Sequence, residues 1–151
     1  MHVGHINLAT TFNGAGEHFV NLVEDLCQHG VEQYVVVRNV ALAKRLDIVD
    51  GVTVGPVVRS AVTAFCLMPS VDVVHVHDSS SASAGLLMAL TRSVPFVLSD
   101  RGIGNARKNP IRQAVEKRAS GFVDTEAMTG IELMKLYRQA VDSLRVPTLM
   151  L

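Results

Sequence analysis

Short apolar runs alternate along the chain with stretches whose apolar residues recur every three or four positions. "HVGHINLAT" (2–10) reads as a first strand and "FNGAGE" (12–17) as a loop leading into a helix. In that helix Phe19, Leu22, Val23, Leu26 and Cys27 fall at i, i+3, i+4, i+7 and i+8, which is one face of a 3.6-residue period. Gly30 stands where a left-handed C-terminal cap is wanted. "QYVVV" (33–37) is a run, apolar after Gln33, of the kind covered on both faces in a parallel sheet. "ALAKRLDIV" and "SAVTAFCLM" predict short helices on either side of a brief strand in "GVTVG".

The second half repeats the alternation. "VDVVHV" (71–76) is a strand, and "SASAGLLMALTR" (81–92) is a helix whose serines suit its N-cap. "PFVLS" (95–99) is another buried-type strand. Asn109 and Pro110 supply a cap and a first-turn proline for a helix with Ile111, Ala114, Val115 and Ala119 on one face. "GFVDT" predicts a weak strand. Thr129-Gly130-Ile131-Glu132 matches a capping box ahead of Leu133, Leu136, Tyr137, Ala140 and Val141. "VPTLML" (146–151) closes as a last strand, at an edge because of Pro147. Alternating strands and helices predict an α/β fold: a Rossmann-like, doubly wound parallel sheet in one domain spanning 1–151, with ligands at the carboxyl ends of the strands.

Composition narrows the class. Apolar residues make up 48% of the 151 residues and mean hydropathy is +0.29, yet no apolar run nears the ~20 residues of a membrane helix. The start, "MHVGHINLAT", lacks the basic opening and cleavage site of a signal peptide, so a cytoplasmic location is expected. Cys27 and Cys66 are too few for a disulfide framework and read as core thiols. A formal net charge of zero argues against nucleic-acid binding. Between Arg101 and Arg118, however, six basic residues face one acid, Glu116. That run is either a solvated face or a surface for an anionic partner, such as a phosphorylated acceptor or the inner face of a membrane.

Candidate chemistry gathers at two loops. Gly14-Ala15-Gly16 lies where backbone amides at a helix N-terminus can face an anion. It is not a dinucleotide fingerprint, because Phe19 replaces the third glycine. His75 and His77 share one face of their strand, His75 deeper and His77 nearer the carboxyl end. A metallohydrolase H-x-H-x-D-H motif fails, since Ser79 and Ser80 occupy its last two positions and the acid falls early at Asp78. With no third ligand nearby in sequence, no metal site is expected. Ser79, Ser80 and Ser81 are cap residues or hold a phosphate or sugar hydroxyl.

Taken in order, several segments resemble the N-terminal, acceptor-side domain of a family-4 glycosyltransferase of the GT-B type. "DVVHVHDSSSASAGLLMAL" is the most specific match, being close to that family's D-V-V-H-x-H segment and following helix. "NGAGEHFVNLVEDLCQHGVEQYVVV" is similar to its opening loop, helix and second strand. "VPFVLSDRG", "KRASGFVDTEAM" and "LRVP" resemble its later strands and the approach to its hinge.

The resemblance implies one half of a two-domain fold. His77 would be the catalytic residue, contacting the transferred sugar or the acceptor. Gly14, Ala15 and Gly16 would lie against the diphosphate, with Asp78, Ser79, Ser80, Arg101 and Gly102 completing the substrate site. No cofactor or metal is implied; a nucleotide sugar serves as donor substrate if a partner chain or further domain supplies the donor site. The implied acceptor is anionic or lipid-linked. Three departures stand out: Ala15 replaces the second glycine, Arg101 replaces a histidine, and Thr148-Leu149-Met150-Leu151 follows Pro147 where Asn-Gly should open the hinge. They leave open a catalytically inactive binding or regulatory protein. Without a donor domain, the neighbours of "SASAGLLMAL" and "TLML" stay uncovered, which predicts a homodimer.

Overall fold

A computed structural model describes residues 1–99, 110–123 and 128–145. Among the described residues six strands form one parallel sheet: β1 (His2–Asn7), β2 (Glu32–Val37), β3 (Val52–Val54), β4 (Val73–Val76), β5 (Phe96–Ser99) and β6 (Gly121–Val123). The spatial order is β3-β2-β1-β4-β5-β6. The chain winds outward from β1 in one direction, crosses over, and winds outward from β4 in the other. Strand order therefore reverses between β1 and β4, the place where a sheet of this kind opens a crevice at its carboxyl ends. The Rossmann-like α/β expectation is met.

The helices are α1 (Gly14–Gln28), α2 (Val40–Asp47), α3 (Ala61–Leu67), α4 (Ala82–Arg92), α5 (Pro110–Arg118) and α6 (Gly130–Arg145). They divide the core in two. On one face Val3, Val35, Val73 and Val97 pack against Phe19, Val23 and Leu26 of α1, Leu42 and Leu46 of α2, and Leu133 and Tyr137 of α6. On the other, Ile6, Val36, Val74, Val76 and Phe96 meet Ala64 of α3, Met88 of α4 and Val115 of α5. Alternate residues of the same strands supply the two faces, as the period of 2 requires. Gly85 of α4 lets the helix approach the sheet, because a Cβ there would stand 2.7 Å from the Phe96 ring and 3.2 Å from Val76.

Local signals act as their chemistry predicts. At the end of α1, Gly30 takes φ +72°, with its N–H donating to Cys27 O and the Val31 N–H to Leu26 O. That is a Schellman motif, satisfying carbonyls the helix leaves open. The Thr129 N–H donates to Glu132 Oε2 (2.7 Å) and the Glu132 N–H to Thr129 Oγ1 (3.4 Å), closing the capping box. Asp25 of α1 adds a tertiary cap, its Oδ2 accepting from the Gly130 N–H at 2.6 Å.

Four expectations need correction. Gly14–Gly16 belong to the first turn of α1 instead of a preceding loop, because the Asn13 side chain caps the helix through the Ala15 N–H. Ser81 makes no side-chain cap to α4; its hydroxyl turns back to Asp78. Cys66 is exposed and Cys27 half-buried, so neither is a fully buried core thiol. Ala114 is exposed, whereas Val115 is buried and Ala119 packs against the same core; the Ile111 side chain is not among those described. Asn109 and the strand expected at 146–151 lie outside the described residues.

Candidate functional site

The face of the sheet that meets α1 and α6 is not uniformly apolar. Gln33 of β2, His5 of β1, His75 of β4, His77 just beyond it and Ser99 of β5 form a polar stripe across it, all buried. His5 and His75 are register partners across the β1–β4 seam, where strand order reverses. His77 follows two residues on, one level nearer the carboxyl ends. The His75 and His77 rings stack with centroids 3.8 Å apart, and Phe19 of α1 packs on His77 at 4.4 Å.

Hydrogen bonds link the stripe end to end. Gln33 fixes one end: its Nε2 donates to Val23 O (2.9 Å) and Cys27 Sγ (3.0 Å), so Oε1 faces His5 Nε2 (3.0 Å) as acceptor. His5 thus carries its proton on Nε2 and accepts at Nδ1, which places the donor on His77 Nε2, 2.9 Å away. Tyr137 of α6 fixes the other end. Its buried hydroxyl donates to His75 Nδ1 (2.7 Å), so His75 Nε2–H donates to Ser99 Oγ (2.7 Å). The Ser99 hydroxyl then donates to His77 Nδ1 (3.4 Å), and the two halves meet consistently. The pattern assigns Nε2–H to all three rings. Among the described residues no buried side-chain nitrogen or oxygen lacks a partner, as a polar core network requires.

Burial sets the electrostatics. Desolvation lowers the His5 imidazole to about 3, against a small opposing contribution from the Gln33 hydrogen bond. His75 is held well below its usual range, first by burial and then by the neighbouring His5. Burial also pushes the Tyr137 phenol up, keeping it a donor. Removing water penalises an imidazolium, so His5 and His75 stay uncharged near neutrality.

The expected site residues divide sharply. His77 is the outermost of the three histidines but only 4% exposed, against 0% for His5 and His75. Asp78 is used within the fold: Oδ1 accepts from the Leu8 N–H (2.9 Å) and the Ser81 hydroxyl (2.6 Å), and Oδ2 from the Ser80 N–H (3.1 Å). It ties the exit of β1 to the loop after β4. Ser79 and Ser80 are exposed beside it. At the start of α1 the Ala15 N–H donates to Asn13 Oδ1 (3.0 Å) and the Gly16 N–H to Asn13 O (2.8 Å). Gly16 is buried, and a Cβ there would run into the Phe12 ring, so its absent side chain has a packing cause. Gly14 is exposed with nothing near its missing Cβ. Arg101 and Gly102 lie outside the described residues.

No known protein family matches the chain, and no curated protein is significantly similar to it. The site must be read from its own geometry. Sequence reasoning found His75 and His77 and missed His5, Gln33, Ser99 and Tyr137. The expectation of no metal rested on the lack of a third ligand nearby in sequence; the fold supplies one in space. His5, His75 and His77 each offer a ring nitrogen, all within 4.8 Å of one another. A histidine on the first strand was the available signal, but only knowledge that β1 and β4 are neighbours makes it one.

Proposed function

We propose that the chain is the acceptor-side domain of a GT-B-type glycosyltransferase, transferring sugar only when a donor-binding domain or partner chain faces its crevice. What carries the reading is the position of the D-V-V-H-x-H segment. It lies on β4 at the seam where strand order reverses, with His77 just past the strand's end and beside α1. A sheet of this order collects its ligand there. In this reading His77 is the innermost contact of the acceptor or transferred sugar. The turn from Gly14 to Gly16, with Ser79 and Ser80, borders the opening, and Arg101 with the basic run after it draws an anionic or lipid-linked acceptor, at the membrane's inner face in the second case. Among the described residues no helix is long and apolar enough to cross a membrane.

A nucleotide sugar then gains little from this domain alone. A hydrogen bond exchanged with water contributes roughly 0.5–1.5 kcal/mol net. The Ala15 and Gly16 amides must also leave Asn13 before they can bind a diphosphate. Affinity is expected near or weaker than ~1 mM. Calorimetry against UDP-, GDP- and ADP-sugars checks this, together with labelled-sugar transfer measured before and after removal of co-purifying chains. Transfer only with a co-purifying chain is the expected result. Low-micromolar binding by the isolated chain overturns the need for a partner.

The engaged Ala15 and Gly16 amides, and the commitment of both His77 nitrogens to His5 and Ser99, favour a second reading. In it the fold persists as an inactive binding or regulatory module. Stable capture of a protein partner with no sugar transfer in any combination selects that reading.

A homodimer also belongs to this proposal. Val62 and Leu67 on α3 and Leu90 on the adjacent α4 are exposed, Val62 by 61% and Leu90 by 53%. Apolar side chains gathered on one surface mark contact sites, and a twofold pair is the commonest way to cover them. Light scattering is expected to give twice the chain mass. A monomer at high concentration counts against it.

A further inference from the structure

We propose that His5, His75 and His77 form a binding site for a divalent transition-metal ion of the zinc class, at the seam between β1 and β4. The proposal rests on the meeting of the three rings and stands apart from the sugar-transfer reading. One ring nitrogen from each histidine lies within 4.8 Å of the other two. The edge between His5 Nδ1 and His77 Nε2 is already 2.9 Å. Two nitrogens on one tetrahedral ion, each bonded at ~2.0–2.1 Å, stand roughly 3.3 Å apart. That edge opens by a few tenths of an ångström on binding, and the longer edges close through side-chain rotation.

The surrounding groups are those a histidine–metal site uses. Such a ring is held by a hydrogen bond from its other nitrogen to an oxygen. Here Gln33 Oε1 holds His5, the Tyr137 hydroxyl holds His75, and Ser99 Oγ touches both His75 and His77. His77 and His75 each move a proton from Nε2 to Nδ1, where Ser99 Oγ and the Tyr137 oxygen respectively accept it, and so both Nε2 atoms are freed for the ion. No proton need leave the site, because each ring remains neutral, which is the ligating form. Three imidazoles select zinc, cobalt, nickel or copper over magnesium or calcium, which prefer oxygen. A solvent oxygen is available as the fourth ligand.

The test uses the whole chain freed of metal by chelation. Titration with Co²⁺ is expected to produce the intense visible absorption of four-coordinate cobalt. Zn²⁺ should be retained through gel filtration at about one ion per chain. Zinc at ~100-fold over Kd should raise the melting temperature by ~5–10 °C. His77→Phe removes one ligand at the outer edge of the cluster and is the principal variant. It should melt cooperatively yet show neither the cobalt band nor the zinc shift. If it does not fold, His5→Gln serves in its place. A triple change of the exposed or half-buried histidines, His2→Ala/His18→Ala/His29→Ala, should keep both signals. No cobalt band in the folded parent chain overturns the site. So does a band that survives His77→Phe, or one abolished by the triple change.

Discussion

Lowering the pH from 7 to 5 is expected to cost the metal-free protein about 4 kcal/mol of folding stability, through His5 and His75 alone. Both imidazoles have folded-state affinities for protons depressed below the unfolded value of 6.5, His5 to about 3. Burial is the first cause in each case. Above 6.5 neither state binds a proton at these rings, and the stability of the buried neutral forms is fully present. As pH falls below 6.5 the unfolded chain takes up protons that the folded chain refuses. Stability then declines by about 1.4 kcal/mol per pH unit per group, until the folded rings themselves protonate near 3 for His5. Two groups over about 1.5 units give the stated loss, a large share of the 5–15 kcal/mol typical of a domain. Urea midpoints at pH 7 and pH 5 read it directly. Equal midpoints contradict the buried neutral assignment.

The second large effect follows from the directional chain of hydrogen bonds. His75→Leu removes the acceptor of the Tyr137 hydroxyl and the donor to Ser99 Oγ. The orphaned Tyr137 hydroxyl costs about 1–3 kcal/mol and the lost bond to Ser99, which keeps His77, roughly 0.5–1.5 kcal/mol, so the expected loss is about 1.5–4.5 kcal/mol. Tyr137→Phe alone should destabilise by about 1–3 kcal/mol, because it orphans His75 Nδ1. Made in the His75→Leu background, the same change removes an already orphaned hydroxyl and should be neutral or stabilising. A double-mutant cycle on denaturation midpoints measures the difference. Additive losses would show that Tyr137 and His75 are not coupled.

Much of the fold was legible because local chemistry and global packing agree. Runs such as Val35-Val36-Val37 and Val73-Val74 read as strands covered on both faces, and all five lie buried here. Gly30, Pro110 and the Thr129–Glu132 pair mark helix ends through backbone geometry that needs no tertiary contact. The site was half legible. His75 and His77 announce a shared face by their spacing, whereas His5 is 70 residues away and joins them through the reversal of strand order. Tyr137 sits at a core position of an amphipathic helix, and nothing in that pattern says its hydroxyl ends on a histidine. Gly14-Ala15-Gly16 misled for a physical reason: glycine serves close packing as readily as anion binding, and Phe12 fills the space over Gly16. The serines misled similarly, since Ser81 is drawn from its capping role by the Asp78 carboxylate.

The central structural claim is that the crevice seam is floored by three histidines held in one hydrogen-bonded direction, with protons on Nε2. Long-range ¹H–¹⁵N correlation spectra of the imidazole rings, in uniformly labelled metal-free protein, test it most directly. His5, His75 and His77 should each show the neutral Nε2–H pattern at pH 7, and His5 and His75 should keep it at pH 5. An Nδ1–H tautomer on any of the three at pH 7, or an imidazolium pattern for His5 or His75 at pH 5, contradicts the account.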